Sequence, residues 1–238
     1  MLIQEASLKK DLLIEKINNL TNDENKSWNH QYYLPGDIKT RERDVNSPGY
    51  NIPKWQRLEP IIDELVKNNK TFLDVGCSDG FFCINIAQKN VEKVLGLDLD
   101  PLRIERSNFM KNFFNLSNIE FRVQDLYDII GKERFDVTLG LGLLHRVPDI
   151  NECISRICDI SNKFVIFEFK TLIGLKDEIV SHGGEKKTND LNRLYGTPTK
   201  KYVSNRLSEN NFSTVQILED TMGNLRYPRT IIVGKREV

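Results

Sequence analysis

What this chain has little of narrows its function first. Positive and negative charge cancel, with 34 Lys and Arg against 34 Asp and Glu in 238 residues. No overall field draws the chain to nucleic acid, and only a local patch would do so. No apolar run approaches the length of a membrane span, so no membrane role is expected. The first apolar positions (Leu2, Ile3, Leu8, Leu12, Leu13, Ile17, Leu20) follow a helix stripe among Lys, Asp and Glu. A signal peptide needs an uninterrupted apolar core, and none is expected here. Cysteine is scarce: Cys77, Cys83, Cys153 and Cys158 form no C-x-x-C pair and fall on predicted core elements. They read as buried reduced thiols rather than disulfides or zinc ligands, which makes the expected compartment cytoplasmic. His, Asp and Glu nowhere cluster with ligand spacing, so no metal is expected.

Also missing are the two commonest nucleotide motifs. Phe72-Leu73-Asp74-Val75-Gly76-Cys77-Ser78-Asp79-Gly80 begins as a buried parallel strand, turns on two glycines and enters a packed helix at Phe81. Gly76 and Gly80 do not make G-x-G-x-x-G, and no Gly-Lys-Ser/Thr follows, so neither a dinucleotide fingerprint nor a P-loop is present. Strand, glycine turn and helix still make the ligand-gripping corner of a doubly wound α/β sheet; the bland alternative is a structural turn with incidental glycines.

The unit then repeats. A second strand, Val94-Leu95-Gly96-Leu97-Asp98, ends in a carboxylate at the sheet edge where ligands bind. Asp98 lies where a ribose-binding acid belongs. Asp100 reads as the cap of a helix opened by Pro101. The third strand, 119–123, leads to Gln124-Asp125-Leu126, where Asp125 suits either an adenine amino group or the cap of a short helix to Ile130. A fourth strand (135–140), a turn through His145 and Arg146, a helix (150–160) and a fifth strand (164–169) follow. Alternation of this kind argues for an α/β fold with a parallel sheet. Ahead of it stand a helix over 1–20, a polar segment over 21–53 and a helix over 54–67. The polar segment carries Trp28, His30, Tyr32, Tyr33, Tyr50, Lys39, Arg41 and Arg43, and reads equally as a functional lid or as aromatics anchoring a loop. After it come a polar, glycine-bearing insert (171–197), a helix (199–210) and strands over 213–218 and 229–233.

Glycine corner, acid ending strand two, acid after strand three and turn after strand four agree in order and spacing. Together, residues 71–170 resemble the core of a class I S-adenosylmethionine (SAM) methyltransferase. That resemblance implies a doubly wound, seven-stranded Rossmann-like sheet ending in an antiparallel pair, plus an N-terminal helical extension. It divides the chain into an extension and aromatic, basic lid (1–68) and a SAM-binding domain (69–238). The cofactor-binding set it implies is Asp74, Gly76, Cys77, Ser78, Gly80, Phe81, Asp98, Leu99, Gln124, Asp125, Leu126, Gly140 and Leu141. Asp74 would face the ammonium, Asp98 the ribose and Asp125 the adenine.

The flanks narrow the likeness. Asp79-Gly80-Phe81-Phe82, Gly140-Leu141-Gly142-Leu143-Leu144-His145, Phe167-Glu168-Phe169 and Trp55-Gln56-Arg57-Leu58-Glu59-Pro60 resemble the bacterial tRNA wobble-uridine carboxymethoxy synthase and its DUF1698-type relatives. Such a likeness implies carboxy-SAM in place of SAM, and tRNA as partner, a partner to which the net charge lends no support. Where that family has Tyr-His, this chain has His145-Arg146. A small-molecule or nucleotide-like acceptor of the methyl group, on oxygen or nitrogen, is the expected substrate; a SAM-fold binding protein without turnover is the other class.

Methyl transfer from a sulfonium is helped mainly by proximity and orientation. An acceptor hydroxyl would also want a base, and His145 is the candidate because a histidine titrates near neutrality; it reads equally as a turn histidine capping backbone. Arg146 suits an anionic acceptor or a bare surface. Glu168 faces the same rim or pairs with Arg146 or Lys170. His30 and His182 lie in loops and carry no assigned role, while Tyr32, Tyr33 and Tyr195 are candidate pocket walls.

Overall fold

A computed structural model describes residues 2–21, 27–42, 51–129, 131–172, 178–181, 196–220 and 228–237. The readings placed on Arg43, Tyr50, Ile130, His182, Tyr195 and most of the 171–197 insert lie outside the described residues. In chain order the elements begin with helix α1 (Leu2–Asn19), the two-residue strands β1 (Tyr33–Leu34) and β2 (Ile38–Lys39), and helix α2 (Asn51–Leu65). The sheet domain follows as β3 (Thr71–Val75), α3 (Phe81–Ala87), β4 (Lys93–Asp98), α4 (Pro101–Phe113), β5 (Ile119–Val123), β6 (Phe135–Leu141), α5 (Ile150–Ile160) and β7 (Ser161–Lys170). It closes with β8 (Ile179–Ser181), β9 (Gly196–Pro198), α6 (Lys200–Glu209), β10 (Phe212–Asp220) and β11 (Arg229–Arg236).

Seven strands form one sheet in the order β10-β11-β7-β6-β3-β4-β5. β3 through β7 are parallel, whereas β11 is antiparallel to both β7 and β10, so β10 runs with the parallel set. From β3 the chain winds one way to β4 and β5; from β6 it winds the other way. The gap between β3 and β6 is therefore the switch point, where loops from both halves diverge and a ligand crevice opens at the strands' carboxyl ends.

Alternation along the strands sends side chains into two cores. Phe72, Val94 and Ile231 pack toward α1 to α4, with Trp28, Leu58, Ile62 and Phe82. Leu73, Leu95, Phe167 and Ile232 pack toward α5 and α6, with Ile154, Ile157, Val203 and Leu207. Burying each such side chain stabilises the fold by about 1.5–3 kcal/mol relative to leaving it in water. The first core includes Ile17 and Trp28 alongside Phe72 and Ile166, so apolar packing continues across residue 68.

Two differences from the expected elements have local causes. α2 begins at Asn51 rather than at residue 54, because Pro53 falls in its first turn, where the missing N–H costs no helical bond. The polar 21–53 segment contains a hairpin, β1–β2, turned at Pro35-Gly36-Asp37, with Gly36 at φ 81°. Cys77, Cys83, Cys153 and Cys158 are all buried free thiols, as expected. No helix among the described residues is long and apolar enough to cross a membrane.

Candidate functional site

At the switch point lies a cavity of about 760 Å³. One wall is built by the ends of β3, β4 and β5. The chain leaving β3 turns back through Gly76 (φ 74°), Ser78 (φ 52°) and Gly80 (φ 75°). A Cβ on Gly80 would lie 2.7 Å from the Phe121 ring and 2.9 Å from Ser107 Oγ, so only glycine fits. Ser78 carries a positive φ without that freedom, a strain that persists only where the surroundings impose it. Here they do: its amide donates to Asp98 Oδ2 at 2.9 Å, and its carbonyl accepts from Ser107 Oγ at 2.9 Å. Asp98 Oδ1 accepts from the Asp100 amide at 3.0 Å, and Arg103 stands 3.7 Å from Oδ2. Asp98 thus fastens the end of β4 to the turn after β3.

Asp74, near the end of β3, is buried behind Gly76. Cys83 Sγ donates to its Oδ2 at 3.6 Å, while Oδ1 has no hydrogen-bond partner among the described residues. Burial raises its pKa from 3.8 to about 7, with nearby Cys83 and Lys54 pulling the other way. A buried carboxylate oxygen without a partner, on a residue that lines the cavity, is an acceptor whose chemistry would suit a ligand ammonium. Asp125 caps the 3₁₀ turn Leu126–Asp128, accepting from the Tyr127 amide at 3.1 Å, and also lines the cavity. Asp100 caps α4 through the Leu102 amide, as expected.

A second group of lining residues forms a cationic wall: Lys54, Arg146, Lys170 and Arg229, with His145 among them, while Arg103 stands beside Asp98. Glu168 stands behind this wall, fully buried and accepting from Arg229 Nε and Nη2, with Nη2 at 2.7 Å from Oε2. Lys54 Nζ approaches the same Oε2 at 3.0 Å. Burial alone would raise the Glu168 pKa, but Lys54 and Arg229 hold it well below the usual carboxylate range. Glu168 is therefore an internal counter-ion, and the expected pairing with Arg146 or Lys170 is replaced by Arg229 and Lys54. The register explains this: β11 runs beside β7, and its first residue reaches back to Glu168 across the strand pair.

His145 also departs from expectation. Burial first, then Arg229 and Arg146, lower its pKa from 6.5 to about 3. The imidazole is neutral at every physiological pH, not poised near neutrality.

Of the expected cofactor residues, Asp74, Gly76, Cys77, Ser78, Asp98, Leu99, Gln124, Asp125, Leu126 and Leu141 meet at the cavity. Gly80, Phe81 and Gly140 are not among its walls. Gly80 makes the turn, Phe81 packs against Tyr32 and His30, and a Cβ on Gly140 would lie 3.1 Å from the Phe167 ring inside the sheet. Tyr32 is buried in the core and Tyr33 points to solvent. Sequence reasoning missed Lys54, Arg229, Asn29 and His30, which all line the cavity. An arginine at the head of the apolar strand Thr230-Ile231-Ile232-Val233 was a legible signal; Lys54 offered none.

Residues 66–217 match the family model described as a methyltransferase domain. The chain is similar to the tRNA U34 carboxymethyltransferase of Nautilia profundicola, 24% identical over 219 residues, covering 88% of this chain and 71% of that one. It is 25% identical to the Campylobacter fetus protein of the same description over 188 residues, or 77% of this chain and 64% of the relative. Among solved structures, the N-terminal domain of EvdMO1 in the presence of SAH and D-fucose superposes with TM-score 0.71 at 18% identity, covering 96% of this chain and 97% of that one. Magnesium protoporphyrin IX methyltransferase from Synechocystis PCC 6803 with bound SAM gives 0.62 at 17% identity, covering 83% and 87%. At those identities the structural likeness speaks for the fold.

Proposed function

The chain belongs to the methyltransferase-domain family and is a SAM-dependent methyltransferase, and from that premise we propose that its switch-point cavity binds SAM on the carboxylate wall and an anionic acceptor on the cationic wall. The observation that carries this reading is that carboxylates from the ends of β3, β4 and β5 and a set of cations gathered from the rest of the chain line one cavity. The cofactor supplies a sulfonium methyl that is already activated, transferred in line to an oxygen or nitrogen. Asp74 Oδ1 accepts from the ammonium, Asp98 from the ribose hydroxyls and Asp125 from the adenine amino group, while Gly76 keeps the backbone close. Arg146 and Lys170 orient an acceptor bearing a carboxylate or phosphate, either a small molecule or a nucleotide-like group. His145 offers a neutral imidazole, able to accept or donate one hydrogen bond but a weak base. Four buried thiols suit a reducing, cytoplasmic setting.

A second reading, transfer of a carboxymethyl group to a tRNA wobble uridine from carboxy-SAM, is favoured by the described relatives and by the same cations, which would take the extra carboxylate. The chain spans 71%, 60% and 64% of the first three such relatives. Calorimetric titration with SAM, S-adenosylhomocysteine and carboxy-SAM separates the readings. SAM and its product should bind, with Asp98→Ala weakening both by about 10- to 100-fold through loss of charge-assisted hydrogen bonds. A tenfold or greater preference for carboxy-SAM would establish the second reading, and no binding of any of the three would overturn both.

A further inference from the structure

A buried polar cluster sits behind the glycine corner, where the strap of residues 27–42 crosses it. Asp79, fully buried one residue before Gly80, accepts through Oδ2 from the backbone amides of both Asn29 and His30, the latter at 2.9 Å. Its carbonyl accepts from Tyr32 Oη at 2.7 Å, and the neighbouring Ser78 Oγ accepts from Asn29 Nδ2 at 2.9 Å. Arg106 closes the cluster from α4. Its guanidinium lies 3.7 Å from Asp79 Oδ1, donates to the Leu20 carbonyl at 2.6 and 2.9 Å, and rests 5.4 Å from the centre of the Trp28 ring.

The strap is tied at its other side as well. Asn51, the first residue of α2, accepts from the Gln31 amide at 3.0 Å and donates to the Gln31 carbonyl at 2.9 Å. Between the two ties, Asn29 and His30 stand in the cavity wall. A buried carboxylate is expensive, and burial does push the Asp79 carboxyl upward against the His30 amide, Arg106 and the Asn29 amide. An apolar residue would fill the same space at lower cost but could not grip two successive backbone amides. The cost is spent on the position of the strap.

We propose that Asp79 is a positioning residue for the transfer: by holding the amides of Asn29 and His30 it fixes the strap as a wall of the cofactor end of the cavity, so that strap order and cofactor binding form one equilibrium. This rests on the reading that the cavity takes SAM. The test titrates S-adenosylhomocysteine into the full chain, its Asp79→Ala and its Asn29→Ala variants, and follows hydrogen exchange at the amides of residues 29–31. In the parent chain the ligand should slow that exchange, a response that a purely structural tie would not give. Asp79→Ala should weaken binding by about 10- to 100-fold and leave those amides fast. Asn29→Ala, which keeps the buried carboxylate and its fold, should weaken binding by about 3- to 10-fold with an unchanged melting temperature. If the parent binds the ligand but its strap exchange does not respond, or Asn29→Ala binds as the parent does, the latch is overturned and the cofactor reading stands. A parent that does not bind overturns both.

Discussion

The two walls of the cavity are built by opposite logic. On the carboxylate wall, the groups that meet lie within a few residues of strand ends: Asp74 near the end of β3 with Gly76 and Ser78 just after it, Asp98 closing β4, and Asp125 after β5. Each is placed by local chemistry, a glycine turn or a cap. On the cationic wall, Lys54 comes from α2, His145 and Arg146 from the turn after β6, Glu168 and Lys170 from β7 and Arg229 from β11. No short motif specifies that wall; long-range pairing does. A ligand of fixed shape can be held by a repeated local solution, whereas the partner that varies between enzymes meets residues gathered from the whole chain.

The sharpest way to break the comparison is at Glu168, the one buried carboxylate of the cationic side. Glu168→Gln removes the charge while Lys54 and Arg229 remain buried beside it. Removing one charge from this buried ion cluster should lower stability by about 3–5 kcal/mol in chemical denaturation. Cofactor affinity of the protein that stays folded should fall by no more than about tenfold, through Lys54, a charged neighbour of both Glu168 and Asp74. An equal loss of affinity would mean that the walls are one unit.

That difference also decides what could be read beforehand. The alternating elements were legible because periodicity and Gly/Pro punctuation are local signals, while the seven-stranded sheet and its antiparallel ending were what the family resemblance implied. Asp98 and Asp125 were legible for the same reason. Glu168 is expected at the rim or paired with Arg146 or Lys170, whereas it is fully buried and paired with Arg229 and Lys54: Arg229 is 61 residues away and becomes its neighbour only when β11 inserts between β7 and β10. His30 was passed over because a histidine in a polar loop has no signal of its own; Asp79, 49 residues later, brings it to the cavity.

A smaller effect sharpens the carboxylate wall by itself. Burial holds the Asp74 carboxyl near a pKa of about 7. An ammonium bound at Oδ1 favours the ionised form, so SAM affinity should rise with pH through the neutral range and flatten above it. The slope should approach about tenfold per pH unit below the midpoint, with a proton released on binding. The stability of the ligand-free protein runs the other way. A carboxyl whose folded pKa is raised binds more protons when folded, so its contribution falls as pH climbs from 3.8 toward about 7. Asp74→Asn should flatten both curves, which calorimetry in buffers of different ionisation enthalpy and melting across pH would read.

The smallest expected effect is at His145, and its smallness is informative. A general base matched to neutral pH contributes about 10²- to 10⁴-fold, and its loss flattens an acid limb in the rate profile. With its pKa held at about 3 by burial and by Arg229 and Arg146, His145 is already neutral across that range and too weakly basic to remove a proton efficiently. His145→Gln keeps a side chain that accepts and donates hydrogen bonds. It should lower the single-turnover rate by less than about tenfold and leave its pH dependence from 5.5 to 8 unchanged. A loss of 100-fold together with the disappearance of a limb near pH 6.5 would mean that the bound acceptor restores the histidine's basicity. An anion seated against Arg146 and Arg229 would do that, by neutralising the charges that depress it. The rate profile therefore reads the occupancy of the cationic wall as well as the role of the residue.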